Sequence, residues 1–184
     1  MFSAGIAVRW LYRRLVSGDL VLDIGTGRTM RRLGPMDAKI AAPRQLVFDV
    51  IAAPYLGSVP ASLAGKIDVI ERSDGMVLAA HRTPVQTGLV ATTVETVRFD
   101  RPAAIHFRLL RGPVPHVVER FQLAEEGDGT RLHYEGELGV DLWALGRAWG
   151  GLVATRWERA VRDSMAEVTR IAELRAARGR TSRS

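Results

Sequence analysis

The chain has 184 residues, 47% of them apolar and 25% charged, with no cysteine. That suits one domain with a sizeable core and excludes disulfides, thiolate metal sites and cysteine nucleophiles. The net charge of +6 sits at the ends: residues 1–35 hold six arginines against Asp19 and Asp23, residues 170–184 hold five against Glu173, and the stretch between is slightly acidic. Phosphate-backbone binding needs several cations on one continuous surface, so no nucleic-acid partner is expected.

In chain order, Phe2 to Val16 places Val8, Leu11, Tyr12 and Leu15 on one helical arc, with Arg9 and Arg13 away from it, which predicts a short amphipathic helix. Arginines interrupt and follow its apolar positions, unlike a cleavable signal, and no apolar run approaches the roughly 18 residues that span a bilayer. A soluble, cytoplasmic protein is expected. Gly18, Gly25, Gly27, Gly34 and Pro35 punctuate the next stretch and leave room for a short strand or hairpin around Leu20 to Ile24.

From Met36 to Ala41 a short strand is predicted, then a helix started by Pro43, carrying Leu46, Val47, Val50 and Ile51, and ended by Pro54. A helical turn near Ser62 is followed by six β-type segments: Lys66 to Arg72, Met76 to Thr83, Leu89 to Phe99, Ile105 to Arg111, His116 to Leu123 and Arg131 to Val140. Short turns between them favour an antiparallel meander. Leu142, Leu145, Trp149, Leu152, Val153, Ala160, Val161, Val168 and Ile171 then recur at helical steps over about 30 residues. Gly146, Gly150 and Gly151 weaken the first half of that helix and suggest a bend or a separate lid.

An antiparallel meander and one long helix must bury their apolar faces against each other. The expected architecture is α+β: a helix-grip fold, with a curved antiparallel sheet of six to seven strands wrapped around a long C-terminal helix. Residues 1–35 read as an N-terminal extension, 36–176 as a ligand-binding domain and 177–184 as a basic disordered tail. A curved sheet holds the helix away from its centre, and the space between is where a small apolar molecule would sit.

The order of elements, with the segment Ile40-Ala41-Ala42-Pro43-Arg44-Gln45-Leu46-Val47-Phe48-Asp49-Val50-Ile51, resembles the opening of the SRPBCC superfamily. That group includes polyketide cyclase/dehydrase, lipid-transfer START and pollen-allergen-like proteins. The resemblance covers roughly residues 36–175 and implies a fold and a ligand-binding habit, with no shared catalytic residues.

Several residues are candidates for chemistry. Leu20-Val21-Leu22-Asp23-Ile24-Gly25-Thr26-Gly27-Arg28 looks like a strand and glycine loop for S-adenosylmethionine, but it lacks the third glycine, and Gly34-Pro35 stops any helix after one turn. His81, His106, His116 and His133 fall on four different strands without metal-ligand spacing, so no metal or cofactor is expected. His116 beside Glu119 is a candidate acid or base at a cavity mouth. Glu95 and Arg108 would pair, or orient a polar ligand end, if both pointed inward, although either face of Glu95's strand is acceptable as core. Among Trp143, Trp149 and Trp157, Trp149 lies on the apolar stripe and is the expected pocket wall. The expected ligand-binding set is Phe48, Glu95, Phe99, Phe107, Arg108, His116, Phe121, Tyr134 and Trp149.

These readings favour non-catalytic binding or carriage of a small hydrophobic molecule such as a lipid, quinone or polyketide. A cyclase or dehydratase is the rival, and would need His116, Glu95 or His81 exposed inside the cavity. Peripheral membrane contact through the basic N-terminal segment is a third reading.

Overall fold

A computed structural model describes residues 2–57, 65–86 and 89–181. Helix α1 (Phe2–Val16) leads into strand β1 (Thr29–Ile40), helix α2 (Arg44–Leu56), strands β2 (Ile67–Ser73), β3 (Met76–Gln86), β4 (Leu89–Asp100), β5 (Ala104–Arg111), β6 (His116–Glu126) and β7 (Gly129–Val140), and helix α3 (Trp143–Thr181). The strands form one antiparallel sheet in the order β1-β7-β6-β5-β4-β3-β2. Five neighbours pair in sequence, as short turns require, and β1 closes onto β7 at the far edge. The sheet curves, and α3 packs along β1 and β7, which is the helix-grip α+β arrangement.

Each strand alternates. Val97 on β4, Ile105 and Phe107 on β5, Val117 and Leu123 on β6, and Leu132, Tyr134 and Leu138 on β7 are buried on the concave face. That face meets Val47, Phe48 and Val50 of α2 and Val153, Val161 and Met165 of α3 in one core. The period-two pattern puts every second side chain inside, so register decides which polar residues join them.

The structure differs from the expected elements at five points. The first strand begins at Thr29, inside the supposed extension, with a bulge between Leu33 and Met36. Gly34 there has a φ of +78°, and a Cβ would lie 3.1 Å from the Tyr134 ring, so a bulge on an edge strand absorbs both Gly34 and Pro35. Leu20 to Ile24 forms no strand or hairpin. Pro54 lies inside α2, in its last turn, where a missing N–H costs a single helical bond and the chain continues to Leu56. Helix α3 is continuous for 39 residues and runs to Thr181, into the stretch expected to be a disordered tail. Its glycines make no separate lid: a Cβ at Gly146 would overlap the Asp141 carbonyl, and one at Gly150 would lie 2.9 Å from Val140, so they let the helix approach the end of β7. The helical turn expected near Ser62 lies outside the described residues.

The glycine loop also acquires a role. Asp141, at the β7–α3 corner, accepts hydrogen bonds from the backbone N–H groups of Ile24 and Gly25, both at 2.7 Å, and from Arg28 Nε at 2.7 Å. Leu142 and Trp143 return backbone bonds to Thr26 and Gly27, both at 3.0 Å. The segment is a clasp around the corner. The Arg28 hydrogen bond, outweighing burial and assisted by the two backbone donors, lowers the Asp141 carboxyl to about 2.

Candidate functional site

Between the concave sheet, α2 and α3 lies a cavity of about 530 Å³, within the range that holds small organic molecules. Val50, Pro54 and Tyr55 of α2 form one wall, Trp149, Leu152, Trp157 and Met165 of α3 another, and Phe107, Phe121 and Leu132 the sheet floor. Tyr12 and Val16 of α1 contribute at one end, where the Tyr12 ring meets Trp149 edge-on with centroids 6.1 Å apart. The wall is mainly apolar, with His81 of β3, Glu95 of β4 and Glu119 of β6 entering it.

Register explains that convergence. His81 pairs across the β3–β4 ladder with Thr93, which shares its strand face with Glu95; across the β5–β6 ladder Glu119 pairs with Phe107. His81 Nδ1 lies 3.2 Å from Glu95 Oε2, an ion-pair contact without the alignment of a full hydrogen bond, and Nε2 lies 2.9 Å from the Tyr55 hydroxyl. With its proton on Nδ1, the imidazole accepts from Tyr55; as imidazolium it donates to both. Glu119 accepts from the Tyr134 hydroxyl and from Trp157 Nε1, each at 2.7 Å and both on Oε1.

The two carboxylates titrate in opposite directions. Burial and the charge of Glu95 outweigh the bonds from Tyr134 and Trp157 and push Glu119 up to about 7. At Glu95 burial acts upward, but the charge and contact of His81, with a hydrogen bond from Thr93, hold it below the usual range. Burial opposes protonation of His81, yet Glu95 raises it overall. Tyr55 is raised by burial and then by both carboxylates, so its hydroxyl keeps its proton. A buried imidazole–carboxylate pair and a carboxyl raised to about 7 therefore share one apolar cavity, an arrangement able to anchor a polar ligand group or move a proton.

Of the nine expected residues, Glu95, Phe107, Phe121 and Trp149 line the cavity. Trp149 also donates its indole N–H to the Pro113 carbonyl at 2.8 Å, which fixes the ring. Tyr134 is buried behind the wall as a donor to Glu119. The other four lie away from the cavity. Phe48 is fully buried against Phe99, with ring centroids 6.3 Å apart, and neither lines the cavity. Arg108 is exposed on the convex face because its neighbours Phe107 and Leu109 point inward, so Glu95 pairs with His81 instead. His116 bonds Glu137 at 3.1 Å on the convex face; three residues along a strand put it opposite to Glu119.

Tyr55 and the His81–Glu95 pairing escaped the sequence reading, which also left Trp157 out of the expected set. Tyr55 follows a proline that looked like a helix end, and Trp157 borders the charged side of α3. His106 and His133, like His116, meet carboxylates away from the cavity. Among the described residues, no group of three or more His, Asp or Glu side chains is placed to hold a metal, and no helix is long and apolar enough to cross a membrane.

Solved structures of similar fold include the di-domain ARO/CYC BexL from the BE-7585A biosynthetic pathway (20% identity, TM-score 0.57, covering 82% of this chain and 50% of that one). A second di-domain ARO/CYC, StfQ from the steffimycin pathway, gives 23% identity and a TM-score of 0.56 over 76% of this chain and 44% of that one. The chain thus spans about half the length of these two proteins. A START superfamily protein from Mycobacterium smegmatis matches at 15% identity and a TM-score of 0.52, over 77% of this chain and 99% of that one. At such identities the likeness is one of fold. A search of the curated proteins gave no significant match. The model of the family described as polyketide cyclase / dehydrase and lipid transport matches residues 36–173, from the bulged strand through most of α3, and the chain belongs to that family.

Proposed function

We propose that this protein binds a small, largely apolar molecule carrying a polar group, held in the cavity between the sheet, α2 and α3. The apolar body lies against Phe107, Phe121, Leu132 and Trp149, and the polar group reaches His81, Glu95 and Glu119. The observation that carries this reading is the cavity itself, about 530 Å³ of mainly apolar wall with one buried polar cluster. A buried charge without a compensating partner is costly, so a ligand that supplies a hydrogen bond at the cluster is favoured over a plain hydrocarbon.

Native mass spectrometry of the freshly purified protein, followed by organic extraction, tests it. A defined apolar adduct that Phe121→Trp excludes supports the proposal. An adduct unaffected by filling the cavity overturns it.

A second reading, acid–base turnover of the ligand, is favoured by Glu119, whose carboxyl is pushed up to about 7 beside the His81–Glu95 pair. A protonated carboxyl donates to a departing hydroxyl while an imidazole accepts a proton from carbon beside a carbonyl, the two halves of a dehydration. This reading is in keeping with the family's description as polyketide cyclase / dehydrase and lipid transport. Incubating the extracted ligand with the protein and with Glu119→Gln distinguishes the two: loss of water from the ligand only with the native side chain indicates turnover, and unchanged ligand indicates carriage.

A further inference from the structure

Helix α1 is fastened at one end only. Leu15 and Val16 are buried, Gly18 accepts from Arg111 Nε at 2.7 Å, and Tyr12 meets Trp149. The preceding turns stand away from the sheet, and their exposed side chains are not those of an ordinary surface helix. Val8 (68% exposed) and Leu11 (41%) flank Tyr12, and Trp10 (57%) faces solvent with the Arg14 guanidinium 5.4 Å over its ring. On α3, Leu145 (73%) and Leu152 (38%) lie four residues before and three after Trp149, which places them on the same helical face. The Tyr12–Trp149 contact is therefore the centre of an apolar surface contributed by both helices. Tyr12, Trp149 and Leu152 also line the cavity.

The charge around this surface is predominantly positive. Residues 2–16 carry Arg9, Arg13 and Arg14, residues 143–157 carry Arg147 and Arg156, and neither segment has an Asp or Glu. Asp19 is the acidic neighbour of the α1 arginines, 3.3 Å from Arg14, and it also meets Arg111 at 3.5 Å. Exposed aliphatic and indole side chains among arginines that outnumber their acidic neighbours suit the boundary between acyl chains and anionic headgroups better than bulk water.

We propose that the exposed surface of α1 and the first turns of α3 docks on an anionic lipid bilayer, bringing the Tyr12–Trp149–Leu152 end of the cavity against the membrane. Apolar side chains enter the interface while the arginines reach headgroup phosphates. The cavity then exchanges its apolar ligand with the bilayer without passing it through water. This proposal rests on the ligand-binding reading only for what is exchanged; docking itself is independent of it.

The test is co-sedimentation of the full chain with phosphatidylcholine vesicles, with and without phosphatidylserine. Binding is expected only with phosphatidylserine and should weaken with salt. Arg9→Gln/Arg13→Gln should reduce it about tenfold or more, and Trp10→Ser/Leu11→Ser and Leu145→Ser should each reduce it several-fold. Arg178→Gln/Arg180→Gln, in exposed residues of the last turn of α3, should leave most of it. Circular dichroism melting verifies that each variant folds. Equal sedimentation with both vesicle types, or an equal loss in the Arg178/Arg180 variant, overturns the proposal. So does a dimer in sedimentation velocity that Trp10→Ser/Leu11→Ser dissolves while vesicle binding is absent, because the surface then belongs to a second copy. Native mass spectrometry of the same variants reports cavity occupancy separately, so failure of docking and failure of ligand binding are distinguishable.

Discussion

Asp141 and Glu119 are both buried carboxylates, and they behave in opposite ways. Asp141 receives two backbone N–H groups and two nitrogens of Arg28, and its carboxyl falls to about 2. Glu119 has two neutral donors on one oxygen and a second carboxylate nearby, and it rises to about 7. A buried charge whose acceptors are matched by donors and a cation closes a structural corner, whereas one left partly matched beside a cavity stays available to a ligand or a proton.

Removing the charge at each place sharpens that contrast. Asp141→Asn should cost about 3 kcal/mol of stability, the lower end for a broken buried pair because Arg28 is itself about a third exposed. Urea denaturation measures the loss, and cavity occupancy in the folded fraction should not change. Gly146→Ala at the same corner should cost about 2 kcal/mol despite alanine's better helix propensity, since its Cβ meets the Asp141 carbonyl. A neutral or stabilising result in the same denaturation experiment would mean that the corner is not tight.

Glu119→Gln should act mainly on pH dependence. With its carboxyl raised from 4.5 to about 7, the folded protein binds more protons than the unfolded chain in that window, so wild-type stability falls as pH rises through it. His81, also raised, adds stability below its unfolded value that is lost as pH rises through its folded value. Glu95, held low, contributes above its unfolded value and loses that contribution as pH falls through its folded one. Melting temperatures across this range should show the Glu119 slope flattened in the glutamine variant, with Tyr134 and Trp157 still served by its carbonyl. An unchanged slope would place the titration elsewhere.

The smallest effects should come from Arg108→Ala and His116→Ala, which change only the convex face. Each should stay within about 0.5 kcal/mol in thermal melts and leave ligand occupancy as in the wild type. A larger effect on occupancy would show that the convex face takes part in binding.

The sheet was legible because alternating residues and turn-forming breaks are local signals: Ser73-Asp74-Gly75 and Glu126-Gly127-Asp128-Gly129 mark their turns without help from the rest of the chain. The cavity cluster was less so. On β4 Val90, Thr92, Val94 and Thr96 are as plausible a core face as Ala91, Thr93, Glu95 and Val97, and one residue of register exchanges them. Pro54 read as a helix end, which hid Tyr55. The glycines of α3 read as weakness because the backbone they approach is near in space and only then meaningful.

By itself the sequence determined the order of elements, the antiparallel meander, the long apolar-striped helix and the placement of charge at the two ends, all of which come from periodicity and composition over short windows. Tertiary structure alone decided that Glu95 meets His81 and not Arg108, that Asp141 is clasped by residues 24–28, and that Tyr12 of α1 reaches Trp149. Those contacts join residues far apart in the chain, and their geometry depends on strand register and helix approach, quantities set by the packing of the whole core.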